Sequence, residues 1–150
     1  MAVTIQREDH RSLEATSLLE ELSKALAAIT GSSGRSSFSL EDLDNPRAVF
    51  AMARDEAGKA IGCGAIRPIG ETTAEVKRMY ARQKGRAVGT LLLSFLEEQA
   101  RVLGYASLVL ETRRVNHVAV GFYLARGYRV IANYGKYVGR EEAVCFEKAL

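Results

Sequence analysis

The residues of this chain best suited to chemistry gather around one basic turn. Lys84-Gly85-Arg86-Ala87-Val88-Gly89 lies between an alternating run, Ala74 to Ala81, and an apolar-periodic run that opens at Thr90. Alternation reads as a strand and the 3.6-residue period as a helix. The turn therefore joins a strand end to a helix start, where free N–H groups and the positive end of the helix dipole favour an anion, phosphate above all. Gly85, Ala87 and Gly89 are small, so backbone amides can approach such a group closely, and Lys84 and Arg86 add charge. Tight packing of the helix would ask for the same small residues, and the local spacing does not separate the two readings.

A second group is Asn116 with Tyr123. Two turns apart on one helix face, they could line one cleft. Singly, Asn116 reads as an N-cap and Tyr123 as a half-buried aromatic with one satisfied hydroxyl. Glu75 stands on the strand before the turn, where a glutamate is ordinarily solvated. His10 and His117, the two histidines, have no partner pattern for a triad or a metal and take surface or capping roles. Cys63 and Cys145 sit apart in apolar runs. They form neither a disulfide framework nor a zinc pattern, so reduced core thiols in a cytoplasmic protein are expected, with no metal.

These residues need a scaffold, and the 150-residue chain suits one domain spanning 1–150 with a sizeable core. No basic segment followed by an apolar stretch opens the chain, and no apolar run has the length of a membrane span, so no membrane partner is expected. A net charge of +3 is a mild excess that suits an acidic ligand. The basic residues are scattered apart from Arg82 to Arg86 and Arg113-Arg114, so a solvated surface is favoured over a nucleic-acid footprint.

Strands are expected at Val3 to Arg7, Ala48 to Ala53, Lys59 to Pro68, Ala74 to Ala81, Ser107 to Thr112, Tyr128 to Ile131 and Ala143 to Lys148. Helices are expected from His10 to Ile29 with Asp9 as N-cap, from Thr90 to Arg101, and from Asn116 to Arg126. Ala15, Leu18, Leu22, Ala25, Leu26 and Ile29 form the buried face of the first. Thr30 to Ser37 reads as a surface loop, and Ser39 to Leu43 as a short helical turn. Short turns pair strands antiparallel and helical crossovers allow parallel pairing. One mixed sheet with helices on both faces follows, an α/β (α+β) fold.

Order and spacing together resemble the GNAT superfamily of acetyl-CoA-dependent N-acetyltransferases, over most of the chain and most strongly from Glu75 to Leu150. Glu75-Val76-Lys77-Arg78-Met79-Tyr80 and the basic turn look like that family's strand and pyrophosphate-binding segment. Asn116, Ala119, Phe122-Tyr123 and Gly127-Tyr128 match its next helix, and Cys145-Phe146-Glu147-Lys148 its closing strand. Two departures stand out. Lys84 replaces the usual opening Gln or Arg, and the lead-in from Ala81 to Lys84 is short.

The resemblance implies a mostly antiparallel sheet of six or seven strands with splayed central strands, and acetyl-CoA as co-substrate. Backbone near Met79 and Ala81 would hold the pantetheine arm. The segment Lys84, Gly85, Arg86, Ala87, Val88, Gly89 and Thr90 would hold the pyrophosphate, with Asn116 and Phe122 beside the cofactor. Glu75 would be the base, directly or through water, with Glu111 a second candidate, and Tyr123 the general acid. The acceptor would be a small-molecule or protein amine. The first helix, the Thr30 to Leu43 loop and the Tyr134 to Arg140 loop would set it, and Tyr134 and Tyr137 would either line its pocket or pack at the surface. Homodimers are common among such proteins. The rival readings are a non-catalytic acyl-CoA-binding regulator and a basic nucleic-acid-binding module.

Overall fold

The computed structural model describes residues 2–35, 38–82 and 87–150. A sheet of seven strands runs β1 (Thr4–Arg7), β2 (Val49–Arg54), β3 (Ala60–Pro68), β4 (Thr73–Ala81), β5 (Ser107–Arg113), β7 (Ala143–Ala149) and β6 (Arg129–Ile131) in spatial order. Neighbours are antiparallel except β4 and β5, which are parallel. That exception has a covalent cause. The helix α2 (Val88–Val102) connects β4 to β5, and a helical crossover returns the chain in the same direction.

Alternation along β2 divides the core between the two faces. Val49, Ala51 and Ala53 join Leu92, Leu93 and Leu96 of α2 in one apolar cluster. Ala48, Phe50 and Met52 join Ala15, Leu18 and Leu19 of α1 (Leu13–Thr30) in the other. The helix α3 (His117–Ala125) lies on the α2 face, where Ala119, Tyr123, Tyr128 and Phe146 pack together. Helices thus cover both faces, as the patterning requires.

The first helix begins later than its sequence pattern implies. Ser12, not Asp9, is the N-cap, and its hydroxyl accepts from the Ala15 N–H at 3.1 Å. The Asp9 carboxylate accepts from the Arg11 N–H instead, and His10 and Arg11 both reach Asp44. The C-terminal part of α1 also departs from the expected buried face. Ile29 is exposed, and Leu26 lines a cleft. In α2 the start is Val88, two residues before Thr90.

β4 carries a bulge. Cys63 pairs with Tyr80 and Ala65 with Lys77, so Arg78 and Met79 together oppose Gly64. Arg78 takes φ +57°, a left-handed conformation rare for a residue with a side chain. The bulge turns Met79 across the facing strand, and a Cβ on Gly64 would lie 2.4 Å from the Met79 sulfur. Gly64 is therefore the residue that lets the bulge close.

Candidate active site

Hydrogen bonding between β4 and β5 stops early. Thr73, Ala74 and Glu75 pair with Ser107, Leu108 and Val109, and the ladder goes no further. Beyond it β4 continues to Ala81 and β5 to Arg113 with their facing edges apart. A cavity of about 220 Å³ occupies the gap. Val76 to Met79 and Leu110 to Arg113 form its walls; Asn116, Ala119 and Tyr123 close it on the α3 side, and Leu26, Phe38 and Tyr137 on the α1 side. Unpaired strand edges are open to an extended ligand that supplies the missing backbone partners.

Tyr123 is buried, and desolvation pushes its pKa up, so the hydroxyl stays protonated at neutral pH. Its ring sits edge-on to Phe122 and Tyr128, with centroids 5.1 and 5.6 Å away. These contacts hold a neutral O–H donor at the cleft wall. Asn116 caps α3, its Oδ1 accepting from the Ala119 N–H at 3.3 Å. Both readings of Asn116 thus meet in one residue, which caps the helix and lines the cavity.

Glu75 is not a solvated strand residue. It is 1% exposed and lies outside the lining of the cavity. One carboxylate oxygen accepts from Arg67, at 2.8 Å from Nη2. The other accepts from the Tyr134 hydroxyl, and Lys77 Nζ lies 3.7 Å from it. Lys77 donates to the Tyr137 hydroxyl at 2.8 Å. Burial lowers the Lys77 pKa, while the Glu75 charge opposes that shift. Of the two tyrosines, Tyr137 lines the cavity and Tyr134 braces Glu75 from behind.

Glu111 does reach the cavity. It stands on β5 with its side chain 11% exposed, and Arg113 Nη1 donates to it at 3.1 Å. Burial raises its pKa above the ordinary 4.5, with Arg113 and Lys77 pulling the other way. A carboxyl so placed titrates closer to neutrality than an exposed one, which suits proton transfer.

The start of α2 forms the other end of the site. Ala87 is its N-cap at φ +56° and supplies no side-chain acceptor, so among the described residues no side chain caps the first-turn N–H groups of Val88, Gly89 and Thr90. Gly89 faces Phe122, whose ring would lie 3.3 Å from an added Cβ. Arg126 stacks over that ring at 4.3 Å and donates to Thr90 Oγ1 from Nε at 3.0 Å and Nη2 at 2.7 Å. A guanidinium thus stands at a helix N-terminus, an arrangement suited to an anion. Its signal in the sequence is its place one helical turn after Phe122. Met79 lines the cavity and Ala81 ends β4. Lys84, Gly85 and Arg86 lie outside the described residues.

The fold built around this gap is one that known proteins share. Residues 13–128 match the model of the acetyltransferase (GNAT) family. The chain belongs to that family. It is 31% identical over 151 residues to an IAA acetyltransferase from Azospirillum brasilense, a match covering 99% of this chain and 98% of that one. The fold is shared with the PaiA N-acetyltransferase of Thermoplasma acidophilum, solved in complex with coenzyme A, at 24% identity and a TM-score of 0.77 over the full length of both chains. It is shared too with an IAA acetyltransferase from Bacillus cereus, at 16% identity and a TM-score of 0.73, covering 99% of this chain and all of that one. This GNAT protein is an acyltransferase, built on a mixed sheet of seven strands. Among the described residues no helix is long and apolar enough to cross a membrane.

Proposed function

We propose that this GNAT protein transfers an acetyl group from acetyl-CoA to a primary amine, by direct attack with both substrates bound together. The observation that carries the reading is the gap beyond Glu75 and Val109. It opens onto one cavity with Tyr123 and Asn116 on its α3 side and Lys77 and Glu111 on its α1 side. The residues fit acetyl-CoA in kind. Free backbone of β4 around Met79 and Ala81 suits the amides of a pantetheine arm. The first turn of α2, from Ala87 to Thr90, suits a pyrophosphate, with Arg126 adding positive charge. When bound, acetyl-CoA supplies an activated thioester.

The residues then divide the proton work. A lysine-like amine has a pKa of about 10.4 and arrives mostly protonated. Glu111 takes that proton, directly or through water, with a pKa raised toward neutrality by burial. The nitrogen bonds to the acetyl carbon as the carbon–sulfur bond breaks. Tyr123 gives its proton to the departing sulfur and regains one from the amine side through solvent, so an ammonium acceptor releases one net proton. Glu75 reaches the cleft only through Lys77, and as a base it would act by that relay.

Thiol release from acetyl-CoA in the presence of a panel of amines tests the reading. Amine-dependent release is expected, and its loss in Glu111→Gln with substantial activity left in Glu75→Gln would place the base on β5. The reverse order would return it to Glu75. Binding of acetyl-CoA with no release to any amine would reduce the protein to an acyl-CoA-binding regulator.

A further inference from the structure

The α1 side of the cavity carries more positive charge than its own carboxylates balance. Lys77, Arg78, Arg113, Lys136 and Arg140 line it, against the single carboxylate of Glu111. Lys77 lies 3.7 Å from Glu75 and Arg113 lies 3.1 Å from Glu111. Arg78 has no carboxylate neighbour among the described residues. It is 9% exposed, and its described hydrogen bonds go to neutral oxygens: the Ser33 carbonyl at 3.3 Å, the Leu19 carbonyl at 3.2 Å and Ser23 Oγ at 2.5 Å. Its Nε has no hydrogen-bond partner among the described residues. A buried cation without a counter-ion is costly, and an anionic ligand would offset that cost. Arg140, exposed on the opposite loop, has no side-chain partner among the described residues and adds to the field around Glu111.

We propose that the acceptor amine also carries an oxyanion, a carboxylate or a phosphate, and that Arg78 and Arg140 receive it while the amine faces Glu111. This rests on the acetyl-transfer reading above and narrows it to a substrate class. The strained bulge at Arg78 has a purpose on this view. The left-handed conformation at φ +57° accompanies a bulge that puts two successive residues, Lys77 and Arg78, on the cavity wall. The same cations act on the amine. Positive surroundings disfavour an ammonium, so the acceptor gives up its proton more readily. They also repel polycations, which sets polyamines and aminoglycosides against the site.

Thiol release measured on matched acceptors is the test. Amino acids with increasing separation between amine and carboxylate are each compared with their carboxamides, alongside aminoalkyl phosphates and one polyamine. The best acid or phosphate is expected to exceed its neutral counterpart by about tenfold or more in kcat/KM, as charge-assisted hydrogen bonds do, with the polyamine lowest. That ratio should fall toward one in Arg78→Gln and be partly kept in Arg78→Lys, which retains the charge but not the fork. A purely structural arginine would fail in both variants alike. Arg140→Gln, at an exposed position, should also lower the ratio and reads the proposal even where Arg78→Gln does not fold. Carboxylate and phosphate are separated by whichever arm is faster. Carboxamides equal to their acids, a polyamine as the best acceptor, or a ratio unchanged in the variants would overturn the anion site and leave acetyl transfer standing. No thiol release to any amine would overturn both.

Discussion

Tyr123 and Glu111, the proposed acid and base, illustrate how burial acts in opposite ways on two titratable groups. Desolvation disfavours the charged form of each. For a tyrosine that keeps the proton on at neutral pH, and for a glutamate it brings the titration up toward neutrality. Tyr123→Phe should lower kcat by about a hundredfold, in the range of a positioned general acid, with acetyl-CoA affinity largely kept. Its stability cost should be small, because no hydrogen bond to the hydroxyl is found among the described residues. Steady-state kinetics and thermal melting on the same variant check both halves, and unchanged turnover would remove Tyr123 as the acid. The Glu111 assignment has a pH signature. A base must be ionised, so kcat/KM should fall as pH drops through a pKa above 4.5. In Glu111→Gln that acid limb should vanish, and a limb that persists would point to another group.

At the scale of elements, the β3–β4 pair and the start of α2 frame one end of the candidate site. Gly62 pairs with Ala81, and a Cβ there would lie 2.8 Å from both the Tyr80 carbonyl oxygen and Val88 Cγ1. The first of those atoms is backbone and cannot swing aside. Gly62→Ala should therefore cost about 1–3 kcal/mol in chemical denaturation and weaken acetyl-CoA binding, because the shift falls between β4 and α2. A variant as stable as the parent would mean that the two elements are free to separate. Arg126 poses a question of charge at the same end. Arg126→Ala should weaken acetyl-CoA binding by about tenfold or more and flatten its salt dependence, as calorimetry at two ionic strengths would read. Gly89 is a less clean probe, since a side chain there meets Phe122 before it meets any ligand.

The whole molecule is a sheet prised open at its one parallel junction. An apolar cluster under α2 spans both halves of the sheet, and a second under α1 packs on β2 and β3. Opening a sheet at its centre sacrifices ladder hydrogen bonds, and a ligand that supplies them should stabilise the fold. Acetyl-CoA at a hundredfold excess over its Kd should add about 2.7 kcal/mol by mass action, visible as a rise in Tm. DNA in its place should give no such rise. A steep loss of DNA binding with salt would instead revive the nucleic-acid reading.

Much of this was legible in the residues themselves. Alternating runs, continuous apolar runs and the 3.6-residue period placed the seven strands and three helices of the described residues, because edge strands and helices show the core one face and central strands such as β2 and β3 show it both. The turn glycines at Gly58, Gly104 and Gly127 take positive φ where the chain reverses or a helix ends. The α2 terminus and the pairing of Asn116 with Tyr123 on one wall were equally visible, since they depend on local spacing. What depended on contacts between distant segments was not. Glu75 looks exposed in sequence because nothing local reveals Arg67 and Tyr134 closing over it. Ser12 displaces Asp9 as a cap because Asp44, far along the chain, holds His10 and Arg11 outside the helix. The bulge at Arg78 is decided by Gly64 on the neighbouring strand. The gap between β4 and β5, and the cations gathered around it, exist only once the sheet is assembled. Sequence determined which elements form and what chemistry they carry. Tertiary structure decided which carboxylate meets the cleft, because burial and charge at a site are sums over residues the chain brings together only by folding.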